Sequence, residues 1–137
     1  MKSYSIIDVE GIGPSYAEKL KACGVRSVNA FLKHAATRAD RKRLAQDSGI
    51  EEKLILKWTN FADLYRIRGV GKQYSELLEK AGVDTVKELA TRVPENLHQK
   101  MIEVNSQGRR LVRQVPALVM VKSWVEQAKS LDPMISH

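Results

Sequence analysis

The chain has one cysteine among its 137 residues, Cys23. That excludes an intramolecular disulfide framework, and nothing near Cys23 resembles a metal knuckle or a paired redox motif, so a reducing compartment fits. Long apolar runs are missing as well. The longest, Ala117–Val121, is far short of the roughly 20 residues needed to cross a bilayer. The opening Met1-Lys2-Ser3-Tyr4 reaches only a short apolar step at Ile6 and Ile7, without a signal-peptide stretch or a transit-like Arg/Ser region. Neither end carries a lipidation motif. The expectation is a cytoplasmic protein with no membrane partner. Strand-like alternation, Gly/Ser-rich linkers and low-complexity tracts are absent too. Chemistry-bearing patterns are equally scarce: His34, His98 and His137 stand far apart without ligand spacing, and no nucleophile elbow or phosphate loop occurs. Most carboxylates alternate with Lys or Arg, as on solvated helix faces. No catalytic residue, metal site or cofactor is expected, and the chain does not read as an enzyme.

What is present is enough apolar material for a core, 43% of residues, and an excess of 23 Lys and Arg over 16 Asp and Glu, a formal charge of +7. A positive balance favours polyanionic partners. The excess is spread evenly, with 11 basic and 8 acidic residues up to position 64 and 12 and 8 after it. No basic tail exists, so any binding surface has to be assembled by folding.

An internal repeat organises the chain. Gly11-Ile12-Gly13 aligns with Gly69-Val70-Gly71, 58 positions on, and the match continues through Tyr16/Tyr74, Glu18/Glu76, Leu20/Leu78, Gly24/Gly82, Val25/Val83 and Val28/Val86. Ile6 and Val9 correspond upstream to Leu64 and Ile67, so each copy reads as a helix, a tight glycine turn and a second helix. Pro14 suits the first turn of that second helix, and Gly24 and Gly82 fall where a left-handed cap ends it. A third helix starts at Ser27 in copy one and at Thr85 in copy two, where Thr85-Val86-Lys87-Glu88 reads as a capping box; both are expected to run about two turns. Copy one continues with helices over Arg38–Asp47 and Glu51–Tyr65, broken at Gly49. Copy two has counterparts over Pro94–Val104 and Ala117–Leu131, with Trp124 and Ala128 echoing Trp58 and Ala62. The Glu51–Tyr65 helix leads into the second glycine turn, which argues for repeats over 1–65 and 62–137 that share it and pack as one compact all-α unit.

The first turn, Val9-Glu10-Gly11-Ile12-Gly13-Pro14-Ser15-Tyr16-Ala17-Glu18-Lys19-Leu20, resembles the helix-hairpin-helix family, and the second keeps the pattern with Ser75 for Ala17. The resemblance implies a turn that contacts the nucleic-acid backbone without reading sequence. Physically, such a turn lets backbone N–H groups and a helix N-terminus converge on one phosphate. The full layout, with two hairpins and a tryptophan-bearing helix after each, resembles a bacterial family of small standalone tandem helix-hairpin-helix proteins catalogued as a domain of unknown function. It covers nearly the whole chain and implies two repeats with accessory helices in a SAM-like helical unit, and nucleic acid, DNA foremost, as the partner.

Within that reading the binding candidates are Gly11, Ile12 and Gly13 in the first turn and Gly69, Val70 and Gly71 in the second, with Arg66, Arg68 and Lys72 around the latter. The second turn is the better candidate, because Asp8 and Glu10 enter the first and would repel a phosphate, whereas Lys72 replaces Pro14 and adds a cation. Arg109, Arg110 and Arg113, in the longer connection of copy two, would extend the surface. Arg38, Arg41, Lys42 and Arg43 form another cluster, partly offset by Asp40 and Asp47. Tyr16 and Tyr74, and the two tryptophans, read better as core than as base-stacking platforms. The rival function is a protein-interaction adaptor, docking through an apolar helix face or through the hairpins. A monomer or a weak homodimer suits either reading.

Overall fold

A computed structural model describes residues 4–107 and 110–136. The described residues form a 3₁₀ turn, η1 (Ile6–Asp8), and eight α-helices: α1 (Pro14–Ala22), α2 (Val28–His34), α3 (Arg38–Ser48), α4 (Glu52–Leu64), α5 (Lys72–Lys80), α6 (Val86–Leu89), α7 (Pro94–Ser106) and α8 (Leu118–Ser130). No strand occurs among these residues; an isolated antiparallel bridge joins Ser5 and Ser27. No helix among them is long and apolar enough to cross a membrane.

The chain is all-α, as its periodicity indicates, and it groups into two compact units. The first holds the described residues up to Asp63 together with those from Pro133 onward, and the second is Leu64–Asp132. The boundary falls at the end of α4. Ile55, Trp58, Phe61 and Ala62 of this helix are buried, and Leu64, its last residue, is part of the core of the second unit with Ile67, Leu77, Leu78, Met101, Val121 and Trp124.

Local chemistry accounts for most helix ends. In α1 and α5 the final turn closes through the same pair of bonds, Gly24 N–H to Lys21 O (3.0 Å) with Val25 N–H to Leu20 O (2.9 Å), and Gly82 N–H to Glu79 O (3.0 Å) with Val83 N–H to Leu78 O (2.8 Å). The 6→1 bond of this cap brings a following apolar residue back over the helix, and Val25 and Val83 are fully buried. Ser27 and Thr37 cap α2 and α3 by accepting the Ala30 and Asp40 amides, each at 3.1 Å, and Gly49 ends α3 in the left-handed region.

Two elements depart from the sequence reading. The first glycine turn is entered through η1 alone, a three-residue turn with Asp8 Oδ2 accepting the Ser5 amide at 3.1 Å, whereas the second follows directly on α4. Helix α6 spans one turn, not two. Thr85 Oγ1 accepts the Glu88 amide at 3.2 Å, but the Glu88 carboxylate binds Arg92 (Nη2 2.8 Å), which in turn donates to the Gly82 carbonyl at 2.8 Å. Val93, held extended ahead of Pro94, as proline favours in the residue before it, then separates α6 from α7.

The tail beyond Asp132, expected with the second repeat, belongs to the first unit. Its anchor is Arg41. This side chain is 3% exposed and donates to the carbonyls of Ala35 (2.9 Å), Ala36 (3.3 Å) and Ser136 (2.8 Å); the Ser136 amide donates to Ala36 O at 2.8 Å. Burial lowers the Arg41 pKa, and the Glu52 carboxylate opposes that shift. Removing the guanidinium strands carbonyls that water reaches poorly. Arg41→Met is therefore expected to lower unfolding stability in a denaturant titration by about 2–4 kcal/mol, while Lys42→Met, on the exposed side of α3, should change it by less than about 0.5 kcal/mol.

Candidate nucleic-acid interface

Each glycine turn is closed by one backbone bond, Ile12 N–H to Val9 O and Val70 N–H to Ile67 O, both 3.1 Å. The apolar residue at its middle points inward: Ile12 is 4% and Val70 1% exposed. Ile12 and Val70 therefore contribute to the core, and only their backbones belong to the turn surface.

The two glycines of each turn have different jobs. Gly11 and Gly69 take φ of +92° and +97°, a region that residues with a β-carbon avoid. A β-carbon at Gly11 would also lie 3.0 Å from Trp58 Nε1, and one at Gly69 2.9 Å from Trp124 Nε1. Both indoles are 1% exposed and carry a tyrosine from the helix after the turn, Tyr16 on Trp58 at 5.0 Å between centroids and Tyr74 on Trp124 at 5.5 Å. The first glycine is thus required by backbone angle and by contact together. The second is not. Gly13 and Gly71 are extended, at φ −87° and −113°, and a β-carbon on either would meet nothing within 4 Å.

Gly13 and Gly71 are the N-caps of α1 and α5, and neither cap has a side-chain hydrogen bond. The first helix-closing bonds come from Ala17 N–H to Gly13 O and Ser75 N–H to Gly71 O, both 2.9 Å. The amides before them are those that a helix leaves over at its N-terminus, where the macrodipole is positive. In α1 the first such position is Pro14, which has no N–H. In α5 it is Lys72, which is exposed, as are Arg68 and Gln73.

The other predicted cations separate. Arg68 is exposed, and Gln127 of α8 grips its peptide: Oε1 accepts the Arg68 amide at 2.8 Å and Nε2 donates to the Arg68 carbonyl at 3.2 Å. Arg66, expected on the same surface, is only 8% exposed, and its Nη2 donates to the Asp132 carbonyl at 2.6 Å, at the end of the second unit. Arg110 is turned onto its own loop, bonding the carbonyls of Val112 (3.1 Å) and Arg113. Arg113 is exposed. Arg109 lies outside the described residues. In the first copy, Arg38, Lys42 and Arg43 are exposed, whereas Arg41 is the buried anchor of the tail.

Sequence reasoning missed the residues that brace this region through polar side chains. Asn105 at the end of α7 accepts the Leu111 and Val112 amides (2.9 and 3.0 Å) and donates to Val112 O (3.1 Å), and His98 bonds Pro116 O at 2.9 Å. Asn105 and His98 thus hold the connection that follows α7, while Gln127 of α8 holds the segment before α5. Nothing in the repeat pattern singles them out, since none has an equivalent among the matched positions.

A family model described as a domain of unknown function, DUF4332, matches residues 10–131. The chain belongs to this family. The match to DUF4332 takes in both glycine turns and both tryptophan-bearing helices, so the Gly–Trp pairs of the two copies both lie inside the family's domain. Comparison with curated proteins and with solved structures gave no match.

The unequal glycines give a direct stability test. Gly69→Ala combines a left-handed backbone with a contact against a rigid buried indole, and is expected to cost about 2–4 kcal/mol in thermal unfolding followed by circular dichroism. Gly71→Ser, at an extended N-cap with open space before it, should leave stability within about 0.5 kcal/mol or raise it slightly.

Proposed function

We propose that the two glycine turns are helix-hairpin-helix motifs, and that the second binds the sugar-phosphate backbone of nucleic acid, DNA foremost, in the cytoplasm and without reading sequence. The observation that carries this reading is the cap of α5. Serine, aspartate or asparagine at an N-cap would occupy the leftover amides with its own oxygen. Gly71 offers no oxygen, is not demanded there by backbone angle, and has open space where a β-carbon would stand. An external anion can approach the amides closely at such a cap. Exposed Arg68 and Lys72 on either side add the charge that attracts phosphates.

The first turn has the same backbone but not the same chemistry. Pro14 removes an amide, and Asp8, exposed on η1, sets a negative charge on the approach. We assign the main contact to the second turn and a minor or purely structural role to the first.

A protein-docking reading has one observation in its favour. Val119 is 72% and Met120 36% exposed on the first turn of α8, and exposed apolar side chains side by side suit a partner surface. Trp124, which would have enlarged such a patch, is buried.

Fluorescence anisotropy with labelled duplex DNA, single-stranded DNA and RNA tests the reading. Binding to duplex DNA is expected at roughly micromolar Kd in low salt, with little dependence on base sequence and a slope of log K against log salt of about −2 for two cation–phosphate contacts. Gly71→Asp is the decisive variant: its carboxylate caps α5 and preserves or raises stability, yet it fills the anion position and should reduce binding at least about tenfold. Oligonucleotide binding that Gly71→Asp leaves unchanged, or no binding at low salt, would remove the second turn as the contact.

A further inference from the structure

We infer that Gln127 is the positioning residue of the second turn, holding the Arg68 peptide so that the Arg68 side chain is presented beside the start of α5. The inference rests on the phosphate-binding reading and adds to it a residue from a different helix, 59 positions away in sequence.

The geometry is that of a side-chain amide spanning the two peptide groups that flank one residue. Gln127 uses its carbonyl on the Arg68 N–H (2.8 Å) and its NH₂ on the Arg68 C=O (3.2 Å), and the same NH₂ also reaches Ser123 Oγ at 3.3 Å. Ser123 and Gln127 lie one turn apart on α8, so the helix itself sets the orientation of the amide. The backbone N–H and C=O of Arg68 are both thereby taken up by the protein, and its side chain remains exposed. Immediately after Arg68 comes Gly69, whose position against Trp124 is already fixed. The residue preceding the turn and the first residue of the turn are therefore both held from α8, by a hydrogen-bonded pair and by an indole. Ordering a residue before its ligand arrives removes that entropy from the cost of binding.

The first copy cannot do this. With Trp58 aligned to Trp124 and Ala62 to Ala128, the position of Gln127 falls on Phe61, which is 1% exposed and has no hydrogen-bonding group. The corresponding turn residue there is Glu10, an anion. The side-chain brace thus occurs in the copy where the braced residue is a cation.

A double-mutant cycle tests the assignment. Wild type, Gln127→Leu, Arg68→Ala, Lys72→Ala and the doubles of Gln127→Leu with each would be titrated with duplex DNA at low salt, with thermal unfolding and Trp emission as folding controls. Hydrogen exchange at the Arg68 amide would be followed in the free proteins; Gln127→Ser replaces the leucine variant if that does not fold. Gln127→Leu is expected to weaken binding about fivefold, to speed exchange at Arg68, to add nothing once Arg68 is alanine, and to add in full to Lys72→Ala. Unchanged binding in Gln127→Leu, or losses that add fully with Arg68→Ala, would overturn the inference while leaving the phosphate-binding reading in place. Failure of the wild type itself to bind would overturn both.

Discussion

The indole beneath the first glycine of each turn is the contact on which the rest of the structure depends. A tryptophan from a helix far along the chain presses its ring nitrogen edge to within about van der Waals distance of where a side chain would begin, at 3.0 Å for Trp58 and 2.9 Å for Trp124. Only glycine fits there, and only glycine readily takes the left-handed angle that sends the chain into the next helix. The same indole supports the tyrosine at the start of that helix. Turn, outgoing helix and distant tryptophan helix are therefore fixed by one residue, and burying a side chain of this size is among the larger favourable terms available to a small core.

From that constraint follows the separation of structural and exposed parts in the turn. A β-carbon on the first glycine would run into the buried indole, and the apolar residue after it is a plug. A β-carbon on the second would meet nothing within 4 Å. Both copies share this frame and differ in what surrounds it: a proline and acidic residues in one, a lysine and an arginine in the other.

Much of the frame was legible in the sequence because local rules generate it. Glycine spacing, the Leu20/Leu78 and Tyr16/Tyr74 matches, and the Gly24/Gly82 caps repeat at the same distances, and each reports a conformation set within a few residues. The helix leading into the second turn was also visible, though not that a unit boundary falls at its end. Less legible were the cations. Arg66 and Arg68 look alike two residues apart, yet the first meets the Asp132 carbonyl and is buried, while the second meets Gln127 through its backbone and leaves its side chain in water. Arg38 and Arg41 diverge in the same way. Which arginine becomes an internal ligand for carbonyls depends on chain segments 66 or 95 positions distant, beyond the reach of any periodicity.

The sequence by itself determined the class of structure, the duplicated turn and the family, since chirality and capping act over a few neighbouring residues. Only the tertiary structure decided that one glycine of each pair is required by packing and the other left open. It also decided that Arg41 and Arg66 belong to the interior, that the tail from Pro133 joins the first unit, and that Gln127 holds Arg68. Those outcomes turn on which buried carbonyl, indole or amide comes within about 3 Å of a given side chain, a distance that exists only once the helices have packed.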